Sequence, residues 1–155
     1  MKQVNLFILF LMIMTTSVVN AQQSTDAVTD EELKKYAIAM DSIDNMKKDL
    51  MEEISELVKN NEKITAARYN ELSKVINDET KLAEAKATPE EIAAIKEVLS
   101  KKDEGTAKIQ STFQSLAKDY VGAATYNKVR KALAEDADLK AKYDAIIAEL
   151  NKEDS

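Results

Sequence analysis

Histidine and cysteine are both missing from this chain, and glycine, proline and aromatic residues are scarce. Each shortage removes a class of function. Without His, the usual general base and the commonest metal ligand are gone, and a Ser-His-Asp arrangement is impossible. Without Cys, there is no thiol nucleophile, no zinc-thiolate site, no disulfide and no acceptor for an N-terminal lipid. The two glycines, Gly105 and Gly122, stand too far apart for a phosphate-cradling loop. No Glu-x-x-His pair occurs, so a ferritin-like di-iron site lacks support. Chemistry would fall to carboxylates, lysines or tyrosines alone. The expectation is a protein that is not an enzyme and needs no cofactor.

What remains is rich in Ala, Glu, Lys and Leu, a composition that favours helix throughout. Nothing reads as a strand. The N-terminus reads as a secretory signal over 1–21. Lys2 supplies a positive start, Leu6 to Met14 an uncharged apolar run, and Val19-Asn20-Ala21 the small-residue cleavage pattern. The run is short for a bilayer span, which takes roughly 20 residues, and Thr15, Thr16 and Ser17 follow it. Export to the periplasm or the medium is therefore predicted, with no stable membrane insertion after cleavage. Removing Lys2 takes the formal charge from −6 to −7. An acidic surface of mixed sign argues against nucleic acid, which needs a clustered basic patch.

Two long stretches carry one apolar heptad in one phase. Leu33, Tyr36, Met40, Ile43, Leu50, Ile54 and Leu57 step by three and four residues. Ile92, Ile95, Leu99, Ile109, Phe113, Leu116 and Tyr120 do the same, about 59 residues later. Both open on a capping box, Thr29 to Glu32 and Thr88 to Glu91, the second with Pro89 at the first helical position. Ile64 to Asn70 is echoed by Val121 to Asn127, with Ile64–Tyr69 and Val121–Tyr126 as hydrophobic staples. The stripe Tyr69, Leu72, Val75, Ile76, Leu82 predicts one helix from Thr65. Asp136 reads as a new cap, leaving open whether the last helix breaks there. The order of signals predicts a duplicated helical hairpin: a flexible leader over 22–28, then repeat one over 29–87 and repeat two over 88–151. Packed as neighbours, these give an all-α, up-down-up-down four-helix bundle with a short fifth helix if the break at Asp136 is real. In that bundle the two long helices run parallel.

Tyr126-Asn127 and Asp136-Ala137-Asp138-Leu139 resemble a family of exported bacterial helical proteins catalogued as domain of unknown function 4168. The opening Thr29-Asp30-Glu31-Glu32-Leu33 with Tyr36 is similar to that family's start. Ala137 departs from the proline the family favours. The resemblance implies an exported helical domain and no activity.

One layer breaks the heptad. Lys47, Lys102 and Thr106 occupy positions that call for apolar side chains, Gly105 lies beside them, and Met40, Met46 and Met51 surround the level. Two readings stay open. Either the lysines snorkel outward and Gly105 relieves crowding, or Lys47, Lys102, Gly105, Thr106 and Met46 line a ligand or partner layer. The carboxylate groups Glu52-Glu53-Glu56, Asp41-Asp44 and Glu90-Glu91 alternate with lysines and read as a solvated face. Three functions are carried forward: binding or structure through helix faces, including self-association along Ala37, Met51 and Val58; an extracytoplasmic chaperone or stress factor; and a carboxylate-based metal binder.

Overall fold

A computed structural model describes residues 27–153. The predicted signal, and all of the leader except Ala27 and Val28, lie outside the described residues. Ala27 to Thr29 are extended, and Val28 packs half-buried on the core. The described residues are all-helical: α1 (Asp30–Lys59), α2 (Ala66–Leu72), α3 (Glu79–Glu84), α4 (Pro89–Ser115) running into a π-helical turn (Leu116–Tyr120), α5 (Ala123–Glu135) and α6 (Ala137–Glu153).

The start signals act as the sequence reading expects. The Thr29 hydroxyl accepts from the Glu32 amide at 3.2 Å, and the Glu32 carboxylate accepts from the Thr29 amide at 2.9 Å. The same reciprocal pair joins Thr88 and Glu91. Two of the four orphan amides at each N-terminus are thereby satisfied. Thr65 caps α2. Asp136 does break the last helix: its carboxylate accepts from the amides of Asp138 and Leu139.

The single helix expected from Thr65 is instead two. α2 ends at Leu72, turns occupy Ser73 to Asn77, and Asp78 caps α3 by accepting from the Lys81 amide. Asn77-Asp78 was the overlooked stop signal, since both side chains compete for backbone groups in a helix interior. α3 closes in a Schellman pattern, Ala87 N–H to Leu82 C=O and Lys86 N–H to Ala83 C=O. Lys86 takes the left-handed position usual for glycine, at φ 51°.

This split reverses the expected direction of α4. With α2 and α3 folded into a compact cap, α1 and α4 become antiparallel neighbours. The start of α4 (Ala94, Ile95) meets Ile64, Leu72 and Leu82, just beyond the end of α1. Leu116 and Val121 meet Leu33 and Tyr36, at the start of α1. The heptad pattern could not supply this, because an apolar stripe has no direction.

Two separate cores result. The first gathers Leu33, Tyr36, Ala39, Val121 and Val129, with Met40, Leu116, Tyr126, Leu133, Leu139, Tyr143 and Ile146 around them. The second gathers Ile64, Leu72, Leu82, Ala94 and Ile95, with Tyr69, Val75, Ile76 and Leu99. Both staple pairs sit in these cores, one in each. Between the cores the long helices pair with each other, and Gly105 of α4 lies directly against Leu50 of α1. A β-carbon on Gly105 would clash with Leu50 Cδ1 and stand 2.9 Å from Cδ2. Ala normally gains about 1 kcal/mol over Gly inside a helix. Here Gly105→Ala is expected to lose about 1 kcal/mol, because overpacking outweighs propensity. In a Leu50→Ala background the same change should stabilise by about 1 kcal/mol. Urea unfolding of the four proteins reads the change of sign.

The two halves are built alike. Glu32 of the first capping box pairs with Lys128 on α5 at 2.7 Å, and Glu91 of the second pairs with Arg68 on α2 at 2.7 Å. Leu72 on α2 and Val129 on α5 are both fully buried. Asp78 and Asp136 cap the third helix of each half. In each case the short helices of one half cover the start of the other half's long helix.

Candidate functional site

The turns of α1 and α4 between the two cores form a waist only two helices thick. Two packed helices can bury a shared seam but leave both flanks open. The exposure follows that geometry. Met51 is 68% exposed and Leu57 37%, while Leu50, Ile54, Leu99 and Ile109 are half-buried. Asp49, Glu52, Glu53 and Glu56 stand exposed on the α1 side. Lys47 and Lys48 are exposed on the same helix, and Lys101, Lys102 and Lys108 stand exposed on the α4 side together with Asp103 and Glu104.

The sequence-derived layer falls on this waist, but its members do not converge. Lys47 is exposed and pairs with Asp44 at 2.8 Å, one turn back on its own helix. Lys102 is exposed, and the Thr106 hydroxyl donates to its carbonyl at 2.7 Å. Met46 is half-buried. Leu50 lies opposite Gly105, and α1 and α4 run in opposite directions. Lys47 and Lys102 therefore lie on either side of that level, about 9 Å apart along the axis. The expected common height assumed parallel helices. Ala37 and Val58, expected as leftover surface for self-association, are instead buried in the fold. Asn127 donates to the Ala123 carbonyl of its own helix.

Two polar clusters lie off the waist. Arg68 donates through Nε to Glu91 at 2.7 Å, through Nη1 to Glu71 at 2.9 Å and through Nη2 to the Ala85 carbonyl at 2.8 Å. The Arg68 guanidinium, with help from the Thr88 amide, holds the Glu91 carboxyl below its usual range. Lys128 and the Thr29 amide do the same for Glu32. Each of these groups is used in joining helices. The second cluster is aromatic: Tyr36 meets Tyr126 at a tilt with ring centres 5.2 Å apart and Tyr143 edge-on at 6.0 Å, and Phe113 meets Tyr126 edge-on at 5.7 Å. Burial pushes the Tyr36 phenol well up, with Tyr126 and Tyr143 adding to it. Burial also raises Tyr143, reinforced by the charges of Asp44, Asp144 and Asp41. Raised phenols keep their protons further into the alkaline range.

No known protein family, curated protein or solved structure matches the chain. The residues themselves must carry the functional reading. Among the described residues no group of three or more carboxylates is placed to hold a metal ion. Nor is any described helix long and apolar enough to cross a membrane. Among the described residues, the waist combines exposed apolar side chains with an excess of acidic groups on α1.

Proposed function

We propose that this is an exported, non-enzymatic binding protein of the periplasm or medium, built from a duplicated helical hairpin, whose docking surface is the two-helix waist. The resemblance to domain of unknown function 4168 belongs to the same reading. The occupant proposed for the waist is an amphipathic helix of a partner protein, lying along the α1 flank as a third member of the coil. Apolar anchors at three- and four-residue spacing would seat beside Met51, Ile54 and Leu57, and flanking basic residues would face Asp49, Glu52, Glu53 and Glu56. The observation that carries this reading is Met51, the most exposed large apolar side chain among the described residues, on the acidic stretch of α1 between the two cores.

Photo-crosslinking tests it in the protein's own host. A benzophenone amino acid at Met51 should yield one discrete adduct, and the same group at exposed Glu149 on α6 should not. Met51→Asp should abolish competition for that adduct, with stability changed by no more than about 0.5 kcal/mol, since the side chain touches little. Equal labelling from both positions would overturn the reading.

A further inference from the structure

The internal likeness of the two halves carries a consequence for self-association. Each half docks its short helices on the start of the other half's long helix, with a smaller contact to its own, such as Phe113 of α4 against Tyr126 of α5. α2 and α3 cover the start of α4, and α5 and α6 cover the start of α1. Besides the Phe113–Tyr126 contact, the contacts that hold α5–α6 in place lie on α1: Glu32 with Lys128, Tyr36 with Tyr126 and Tyr143, Asp30 with Lys142 at 3.7 Å. None of them depends on which chain supplies α5–α6. Exchange between two copies would keep every such contact.

What decides between the closed and exchanged forms is the connection. α4 continues as helix through the π-helical turn to Tyr120, and α5 begins at Ala123. The reversal rests on Gly122, at φ 91° and ψ 128°. Space is not the reason for glycine there, since a β-carbon would meet nothing closer than the Thr125 hydroxyl at 3.8 Å. The reason is the backbone, because L side chains are strained at that φ. Straightening this one residue toward helical angles joins α4 to α5 and carries α5–α6 away from its own α1.

We infer that the protein pairs with a second copy of itself by exchanging the α5–α6 unit about Gly122, so that each copy's α1 start is covered by the other's α5 and α6. The partner is this chain, the surface is the Leu33–Tyr36–Met40 face of α1, and the hinge is a single glycine.

The chain has no native cysteine, so the exchange can be read directly. Cysteines at Glu32→Cys and Lys128→Cys flank one docking contact, and a short bismaleimide joins them. The protein is concentrated to millimolar levels, warmed below its unfolding midpoint, cooled and separated by size. In the dimer fraction the reagent should link two chains, giving a covalent dimer on a denaturing gel; in the monomer fraction it should link within one chain. Protein cross-linked as monomer beforehand should form no dimer. Gly122→Ala, which removes the preference for the closed turn, should raise the dimer fraction about tenfold. The inference is overturned if no dimer forms with either hinge residue while circular dichroism shows a folded protein. It is equally overturned if the dimer fraction cross-links only within single chains. Should Gly122→Ala fail to fold, the pre-linked and unlinked Gly122 proteins still decide the matter.

Discussion

Ile95→Ala is expected to destabilise the protein by about 3 kcal/mol, within the usual range for deleting a fully buried aliphatic side chain. Ile95 has no exposed surface, and it packs where α2, α3 and α4 converge on Ile64, Leu72 and Leu82. The short helices that surround it, seven and six residues long, are too short to persist by themselves. They rely on this side chain more than the long helices do. Native-state hydrogen exchange checks the location as well as the size of the loss. Protection should fall across the cap at residues 60–99 and hold at the amides of α5 and α6. Equal loss at both ends would mean that the waist couples the cores into one cooperative unit.

Tyr36→Ala at the opposite end is expected to cost about 4 kcal/mol, combining the cavity with two lost aromatic contacts. The residue is 7% exposed and touches both Tyr126 and Tyr143. Tyr36→Phe separates the ring from the hydroxyl. The folded-state phenol titrates above its ordinary value of about 10, chiefly through burial. An unfolded chain therefore loses that proton first as pH rises, and stability should fall from about pH 10 upward. Below that pH the phenol is protonated in both states and contributes no slope. Tyr36→Phe should keep most of the stability at neutral pH and show a shallower alkaline decline. Some slope should persist, because Tyr69 and Tyr143 are raised by burial as well. Urea titrations of both proteins from about pH 9 to about pH 11 bracket that transition. An unchanged alkaline slope in the Phe variant would place the linkage elsewhere. Ile95 and Tyr36 belong to different cores, so the two alanine substitutions should add within about 0.5 kcal/mol.

Local signals in the sequence were readable where one residue satisfies one backbone group. Thr29, Thr65, Thr88 and Asp136 each mark a helix start by that means in the structure, and Pro89 marks one by lacking an amide that would have no partner there. The staples Ile64–Tyr69 and Val121–Tyr126 are readable as apolar pairs at fixed spacing around a helix start. Direction was not. The heptads of α1 and α4 look identical whether the helices run parallel or antiparallel, and the answer lay in how the 60–88 segment spends its length. A continuous helix there would have carried the chain back along α1. The cap at Asp78 stops it, and Lys86 closes the turn without the glycine that would have announced it. The mid-bundle layer shows the same limit. Reading Lys47, Lys102 and Thr106 as polar positions on the heptad was sound, since all three are exposed. Placing them at one height needed the direction of α4. Gly105 reads in the sequence as a relief of crowding, and its partner Leu50 emerges only when the two helices are laid side by side. The waist itself left one mark on the sequence, Met51 among acids, which any solvated helix face can show.

The shared first core has a consequence for the order in which the chain is completed. Leu33 and Tyr36 lie in the opening turns of α1, yet Tyr143 and Ile146, more than a hundred residues later, help to cover them. A chain emerging N-terminus first can close the second core once α4 has passed Leu99. The apolar start of α1 must wait, uncovered, until nearly the last helix has appeared. For a chain threaded through a pore, the earliest segment out is the last to be sheltered. Chain length downstream of α4, rather than any property of α1, sets how long that exposure lasts.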